Sequence, residues 1–208
     1  MIIITPYTLI TFVFIVNTIG TVDDLIEKYQ SILTKIEEIV HLLFLNLKPC
    51  NQELSDIAEI KYGKGLEASK LTQNKRYPVY GSNGIIGTLE TYDFDKSKIA
   101  ISCRGASSGT VFLTKPFSTI SSNSLYLNLK NDYCLLPIYS YLNRIGLSSF
   151  ATGSAQPQIT IENIQHLKVP DFQNHLVDYS QIINLIFDVQ HKIDLVKKIK
   201  TFLLYKYF

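Results

Sequence analysis

Tryptophan is absent from this 208-residue chain and methionine occurs once. Three cysteines, Cys50, Cys103 and Cys134, stand far apart with no C-x-x-C pair. That spacing argues against a disulfide scaffold or a zinc knuckle and fits a reducing compartment. A strong charge bias is missing as well. Twenty Lys and Arg face eighteen Asp and Glu, which rules out a strongly basic coat protein. No Walker loop, Rossmann fingerprint or metal-binding His pair is found, and no histidine lies between His41 and His166. With 46% hydrophobic and 18% charged residues, the chain is not a disordered one.

What is present is unevenly placed. Met1–Val22 carries no charge, and nine of the ten glycines fall between Gly63 and Gly153. The flanks of this glycine-rich middle read as helices. Val22, Ile26, Tyr29, Leu33, Ile36, Val40 and Leu43 follow a 4-3 heptad spacing, with Leu25, Ile32, Ile39 and Leu42 widening the stripe. Thr21 is the expected N-cap, Asp23 and Asp24 suit the first turn, and Pro49 ends the segment. Ile182, Ile186, Val189, Ile193, Val196, Lys200 and Leu203 repeat the spacing near the other end, with one lysine in the seam. The two seams are expected to pack on each other as an antiparallel coiled coil.

Between them the pattern shifts to short runs of period two separated by turn residues. Tyr77–Tyr80 and Ile85–Leu89 flank an Asn-Gly turn; Lys98–Cys103 and Thr110–Leu113 flank Gly105–Gly109; Leu125–Leu129 alternates as a half-buried strand does. Ile138–Ile145 reads as a short helix, and Leu167–Val169 as a last strand. The class is therefore α+β.

Catalytic chemistry finds little support. Gly105-Ala-Ser107-Ser-Gly109 matches the G-x-S-x-G nucleophile elbow, but a strand follows it where that motif needs a helix, and no histidine is near. Cys103 beside Arg104 reads as a small core residue, and Asp93 and Asp95 as turn residues. The turns do carry groups that hydrogen-bond phosphates and base edges. Lys61, Lys64, Lys70, Lys75 and Arg76 lie near Tyr77 and Tyr80, while Ser121, Ser122 and Asn123 sit at a further turn. The candidate DNA contacts are Lys64, Arg76, Tyr80, Ser82, Asn83, Arg104, Ser107, Ser108, Ser154 and Gln156.

An ordered set of blocks resembles a target recognition domain of a type I restriction-modification specificity subunit. The blocks are Leu54–Gly65, Tyr77–Gly87, Ile99–Gly105, Gly109–Val111, Ile120–Ser124, Thr152–Thr160 and Leu167–Pro170. Thr21–Gln30 and Gln190–Asp194 are similar to the family's spacer helices. The resemblance implies a division into residues 1–20, an apolar segment of uncertain role; 21–48, a spacer helix; 49–171, a turn-rich β recognition domain with short helices; and 172–208, a second spacer helix. The seam residues it points to are Val22, Ile26, Leu33, Ile36, Ile186, Val189, Ile193 and Val196. It further implies a non-catalytic, sequence-specific reader of double-stranded DNA that takes one half of a split site. Such a reader positions an adenine methyltransferase subunit and a restriction subunit in the cytoplasm. This chain would bind no cofactor, S-adenosylmethionine and ATP belonging to the partner subunits. With one recognition domain it resembles half a subunit, to be completed by a homodimer or a second half-subunit. The rival expectation is a coiled-coil interaction protein, or a membrane-associated one, whose middle binds another ligand.

Overall fold

The computed structural model describes residues 6–131, 134–153, 156–172 and 177–207. Two compact units form. One holds the two long helices, and the other spans Leu43–Tyr179.

Helix α1 (Pro6–Leu43) opens on proline, whose missing N–H is no loss in a first turn. The helix therefore starts well before Thr21, which is not an N-cap. The Thr21 hydroxyl donates to the Asn17 carbonyl at 2.9 Å, and Thr18 does the same to Phe14 at 2.8 Å. Bonding back four residues satisfies both hydroxyls without ending the helix. The boundary placed between residues 20 and 21 is consequently not an element boundary. Nor does the helix reach Pro49: it ends at Leu43, followed by a turn closed from Leu47 N–H to the Phe44 carbonyl.

The second long helix, α5 (Ser180–Tyr207), starts eight residues later than the sequence division places it. Its seam is as expected: Ile186, Val189, Ile193 and Val196 are buried. Val22, Ile26, Leu33 and Ile36 of α1 are half-buried, and Val40 is buried. Two polar contacts give the direction of pairing. Lys200 Nζ meets Asp23 Oδ1 at 2.7 Å, and Lys192 Nζ lies 5.8 Å from the centre of the Tyr29 ring. Rising numbers on one helix match falling numbers on the other, so the pair is antiparallel. Lys200 occupies a seam position because Asp23 neutralises it there. Leu25, Ile39 and Leu42 remain exposed, so the stripe is wider than its partner covers. Among the described residues no helix is long and apolar enough to cross a membrane.

The other unit is built on strands β1 (Gln52–Glu53), β2 (Ala58–Tyr62), β3 (Tyr77–Gly81), β4 (Gly84–Leu89), β5 (Ile99–Ser102), β6 (Val111–Leu113), β7 (Thr119–Ile120), β8 (Ser124–Leu129) and β9 (Lys168–Val169). A four-stranded antiparallel sheet runs β2-β8-β5-β6, and a three-stranded one runs β4-β3-β7 with β3 and β7 parallel. β1 pairs with β9 where the chain enters and leaves. Short helices α2 (Leu54–Ile57), α3 (Leu135–Ile145) and α4 (Ile161–Ile164) complete the unit.

Strand β5 is buried along its whole length because both its faces are covered. On one face Ala100 meets Tyr80 and Ile120 of the smaller sheet, with Phe94, Phe112 and Tyr126 around them. On the other face Ile99 and Ile101, together with Leu125 and Leu127 of β8, are fully buried; α3 packs beside β6 and supplies Leu136, Ile138 and Leu142 to the core. Each such side chain removed from water stabilises the fold by roughly 2–3 kcal/mol.

Candidate nucleic-acid interface

Register decides which turns share an edge. In the four-stranded sheet Tyr62 pairs with Leu125 and Ser102 with Ser124, so the ends of β2 and β5 lie beside the start of β8. Val111 pairs with Ile101, which places the start of β6 there as well. In the smaller sheet Tyr80 pairs with Ile120 in parallel, so β3 and β7 also end on that side. Four connections therefore meet at one edge: Gly63–Lys64 after β2, Ser82–Asn83 between β3 and β4, Cys103–Thr110 between β5 and β6, and Ser121–Asn123 between β7 and β8.

Main-chain hydrogen bonds tie these connections to one another. Lys64 N–H donates to the Ile120 carbonyl at 2.8 Å, and Ser122 N–H to the Lys64 carbonyl at 2.9 Å. Ser121 N–H donates to Tyr80, and Cys103 N–H to Asn123. A fifth segment joins by Gly105 N–H to the Pro157 carbonyl, Ile159 N–H to Cys103, and bridges from Gln158 to Arg104 and Thr152. Glycine is required at Gly63 by close approach: a Cβ there would stand 2.2 Å from the Ser121 oxygen. At Gly109 a φ of 95° and a Cβ 2.4 Å from the Ser148 nitrogen demand it twice over. Gly105–Gly109 thus closes a hairpin, as the sequence suggests, and is not a nucleophile elbow.

The edge brings together Lys64, Ser82, Asn83, Arg104, Ser107 and Gln156 from the expected set. Asn83, Arg104 and Gln156 are exposed, and their side-chain polar groups have no partner among the described residues. Lys64 is exposed but shares its charge with Asp93 at 3.3 Å, so Asp93 is an ion-pair partner as well as a turn residue. The Ser107 hydroxyl is bonded to that of Ser102 at 3.1 Å. Three expected contacts fall elsewhere. Tyr80 is 5% exposed, stacked on Phe112 at 5.7 Å, and its hydroxyl accepts the Lys115 N–H at 3.0 Å. It braces the core and cannot reach DNA. Ser108 is buried beneath its own hairpin. Arg76 precedes β3, roughly 13 Å along the strand from the edge at about 3.3 Å per residue, with its guanidinium over the Tyr77 ring. Ser154 lies outside the described residues. Asn123, exposed at the edge, and half-buried Ser122 and Gln158 join the site. The first two were legible as turn residues. Gln158 was not, because only the long-range bridge to Arg104 places it.

Cys103 is fully buried, and burial pushes its thiol above the usual range against the opposing pull of Arg104. It is core rather than nucleophile. Among the described residues no group of three or more His, Cys, Asp or Glu could hold a metal ion. Among the described residues the edge offers hydrogen-bonding capacity, from the exposed Arg104 guanidinium and the exposed Asn83, Asn123 and Gln156 carboxamides on a stiff frame, the groups that pair with bases and phosphates in duplex DNA.

Comparison with known proteins agrees. Residues 51–201 match the model of the type I restriction modification DNA specificity domain. The type I restriction enzyme EcoprrI specificity subunit of Escherichia coli is 23% identical over 154 residues, 71% of this chain and 38% of that protein. A type I specificity subunit assigned in Mycoplasma pneumoniae is 30% identical over 148 residues, 68% of this chain and 48% of that one. The chain thus spans less than half the length of these two relatives. The crystal structure of the type I restriction-modification system S subunit from M. genitalium shares the fold. Its TM-score is 0.64 at 21% identity, covering 92% of this chain and 57% of that one. Residues 51–201 carry a type I DNA-recognition domain, and the chain belongs to the type I restriction-modification specificity family, whose members are non-catalytic.

Proposed function

We propose that this chain reads one half of a split site in double-stranded DNA through the five-segment edge, and that its helix pair holds that edge at a set distance from a second recognition domain. The second domain comes from another copy of the chain or from a second half-subunit. The assembly positions a methyltransferase subunit, which uses S-adenosylmethionine on adenine, and an ATP-driven restriction subunit. This chain holds neither cofactor, and the complex works in the cytoplasm, where its DNA is. The observation that carries the reading is the convergence of Asn83, Arg104, Asn123 and Gln156 from four separate segments onto one edge stiffened by main-chain bonds. Fluorescence anisotropy on duplex DNA at several salt concentrations tests it. Affinity should fall steeply as salt rises, because phosphate contacts release counterions. Salt-independent binding, or none, would remove DNA as the ligand.

A further inference from the structure

The edge is not wholly polar. Ile85 and Ile86 follow Gly84 at the start of β4, just past the Ser82–Asn83 turn, and they are 47% and 37% exposed. The backbone is irregular where they stand. Val79 pairs with Gly87 but Tyr80 with Ile85, so Ile86 is an extra residue with no cross-strand partner, a β-bulge. Bulges bend a strand and re-aim its side chains. Gly81, across the hairpin, makes room for Ile86: a Cβ there would stand 2.8 Å from Ile86 Cγ2 and 3.0 Å from its Cδ1. Gly81 is not at positive φ, so space rather than backbone conformation accounts for glycine at that position. β4 is also the outer strand of its sheet, paired with β3 alone. Exposed aliphatic side chains on an outer strand invite aggregation, and charged residues commonly replace them. Here two isoleucines are kept in water beside the polar turn.

The major groove of DNA presents one apolar group on its base edges, the 5-methyl of thymine. Ile85 stands two residues past Asn83, about 7 Å along the strand, or about two base-pair steps of 3.4 Å. A polar contact by Asn83 and an apolar one by the isoleucines therefore fit within one half-site. We propose that Ile85 and Ile86 are specificity-determining residues that recognise the 5-methyl group of a thymine, an inference that rests on the functional reading above. The bulge and Gly81 present the pair, and the exposed carboxamides and guanidinium supply the polar contacts around it. The contact favours thymine over cytosine, and over uracil, at one position of the half-site.

The test uses the full chain and synthetic duplexes. A genome-wide map of adenine methylation, in cells carrying the chain and the methyltransferase subunit, supplies the motif. Each thymine of that motif, on either strand, is then replaced in turn by deoxyuridine, which removes the methyl and keeps the base pair. In competition anisotropy one such replacement should weaken wild-type binding about fourfold, the worth of one methyl taken out of water. Combining Ile85→Ala with Ile86→Ala should bring that thymine-to-deoxyuridine ratio close to one and leave the preferences at other positions unchanged. A wild type indifferent to every replacement overturns the proposal. So does a double variant that keeps the fourfold ratio, even if it binds all duplexes more weakly, since that loss would be structural. If the alanine pair does not accumulate, Ile85→Thr with Ile86→Thr carries the test. Threonine keeps the branched Cβ that suits a strand but lacks the reach of Cδ1, so the ratio should fall, and an undiminished ratio overturns the proposal equally. A wild type that binds no duplex, or binds without sequence preference, would sink the functional reading itself.

Discussion

Arg104 is exposed, with no hydrogen-bond partner for its guanidinium among the described residues, on a hairpin whose backbone is bound on both sides, so its removal should affect DNA and not folding. If it reads a base, Arg104→Ala costs about 1–3 kcal/mol of discrimination at one position; if it holds a phosphate, it weakens all sequences alike and lowers the salt slope by about one. Competition binding with single-base variants tells the two apart, and unchanged affinity and specificity would take Arg104 out of the interface. Lys64 is restrained by Asp93, so Asp93→Asn should tighten DNA binding and steepen its salt dependence; weaker binding would show that the ion pair shapes the loop instead. Glu53 accepts a hydrogen bond from His166 Nδ1 at 2.8 Å and from Lys168 Nζ at 3.0 Å, which together hold its carboxyl below the ordinary 4.5. A depressed native pKa gives stability that is present above the unfolded value and is lost as pH falls through the native one. Thermal melts of Glu53→Gln should therefore lose part of the wild type's decline below about pH 4.5, and identical curves would show the pair to be idle. At this scale the sequence was legible in part. Turn chemistry located Asn83 and Arg104 because glycine and asparagine mark reversals. Tyr80 misled, because alternation along β3 cannot tell which side faces a second sheet when nothing local announces that sheet.

The helices were legible where their pattern was long. Seven positions at heptad spacing on each side foretold the buried row of α5 and its partner row on α1. Ile193 is buried, so Ile193→Asp forces a charge into an apolar seam, and the helix pair should fail to form in circular-dichroism melts. Leu33 is half-buried, and Leu33→Asp should lower the melting temperature by less; exposed Lys28→Ala should not move it. Equal tolerance of all three would defeat the coiled-coil reading. The start of α1 was misplaced because a threonine ahead of two aspartates looks like a cap, whereas the uncharged stretch before it has enough helix-compatible residues to continue. Strand existence came through well and sheet membership poorly. β3 pairs with β7 across about forty residues, and β1 with β9 across more than a hundred, and no short-range pattern encodes such partners.

For the whole molecule, base choice and half-site distance should be separable. Exchanging residues 51–170 for another recognition domain of the family should change the bases and keep the spacer. Adding a heptad to both helices should lengthen the gap by about 10 Å, roughly three base pairs, and keep the bases. Methylation mapping reads both, and altered bases after the helix insertion would refute the separation. The way the edge is built has an evolutionary corollary. Its segments are fastened to one another by peptide groups, and peptide groups are common to every sequence. Among the described residues the side chains of Asn83, Arg104, Asn123 and Gln156 are exposed and make no hydrogen bond, so drift there should meet little folding penalty. A saturation library at these four positions should be nearly uniform in melting temperature yet diverse in preferred DNA. New specificities would then lie one substitution away from old ones, on a scaffold that need not adapt to them.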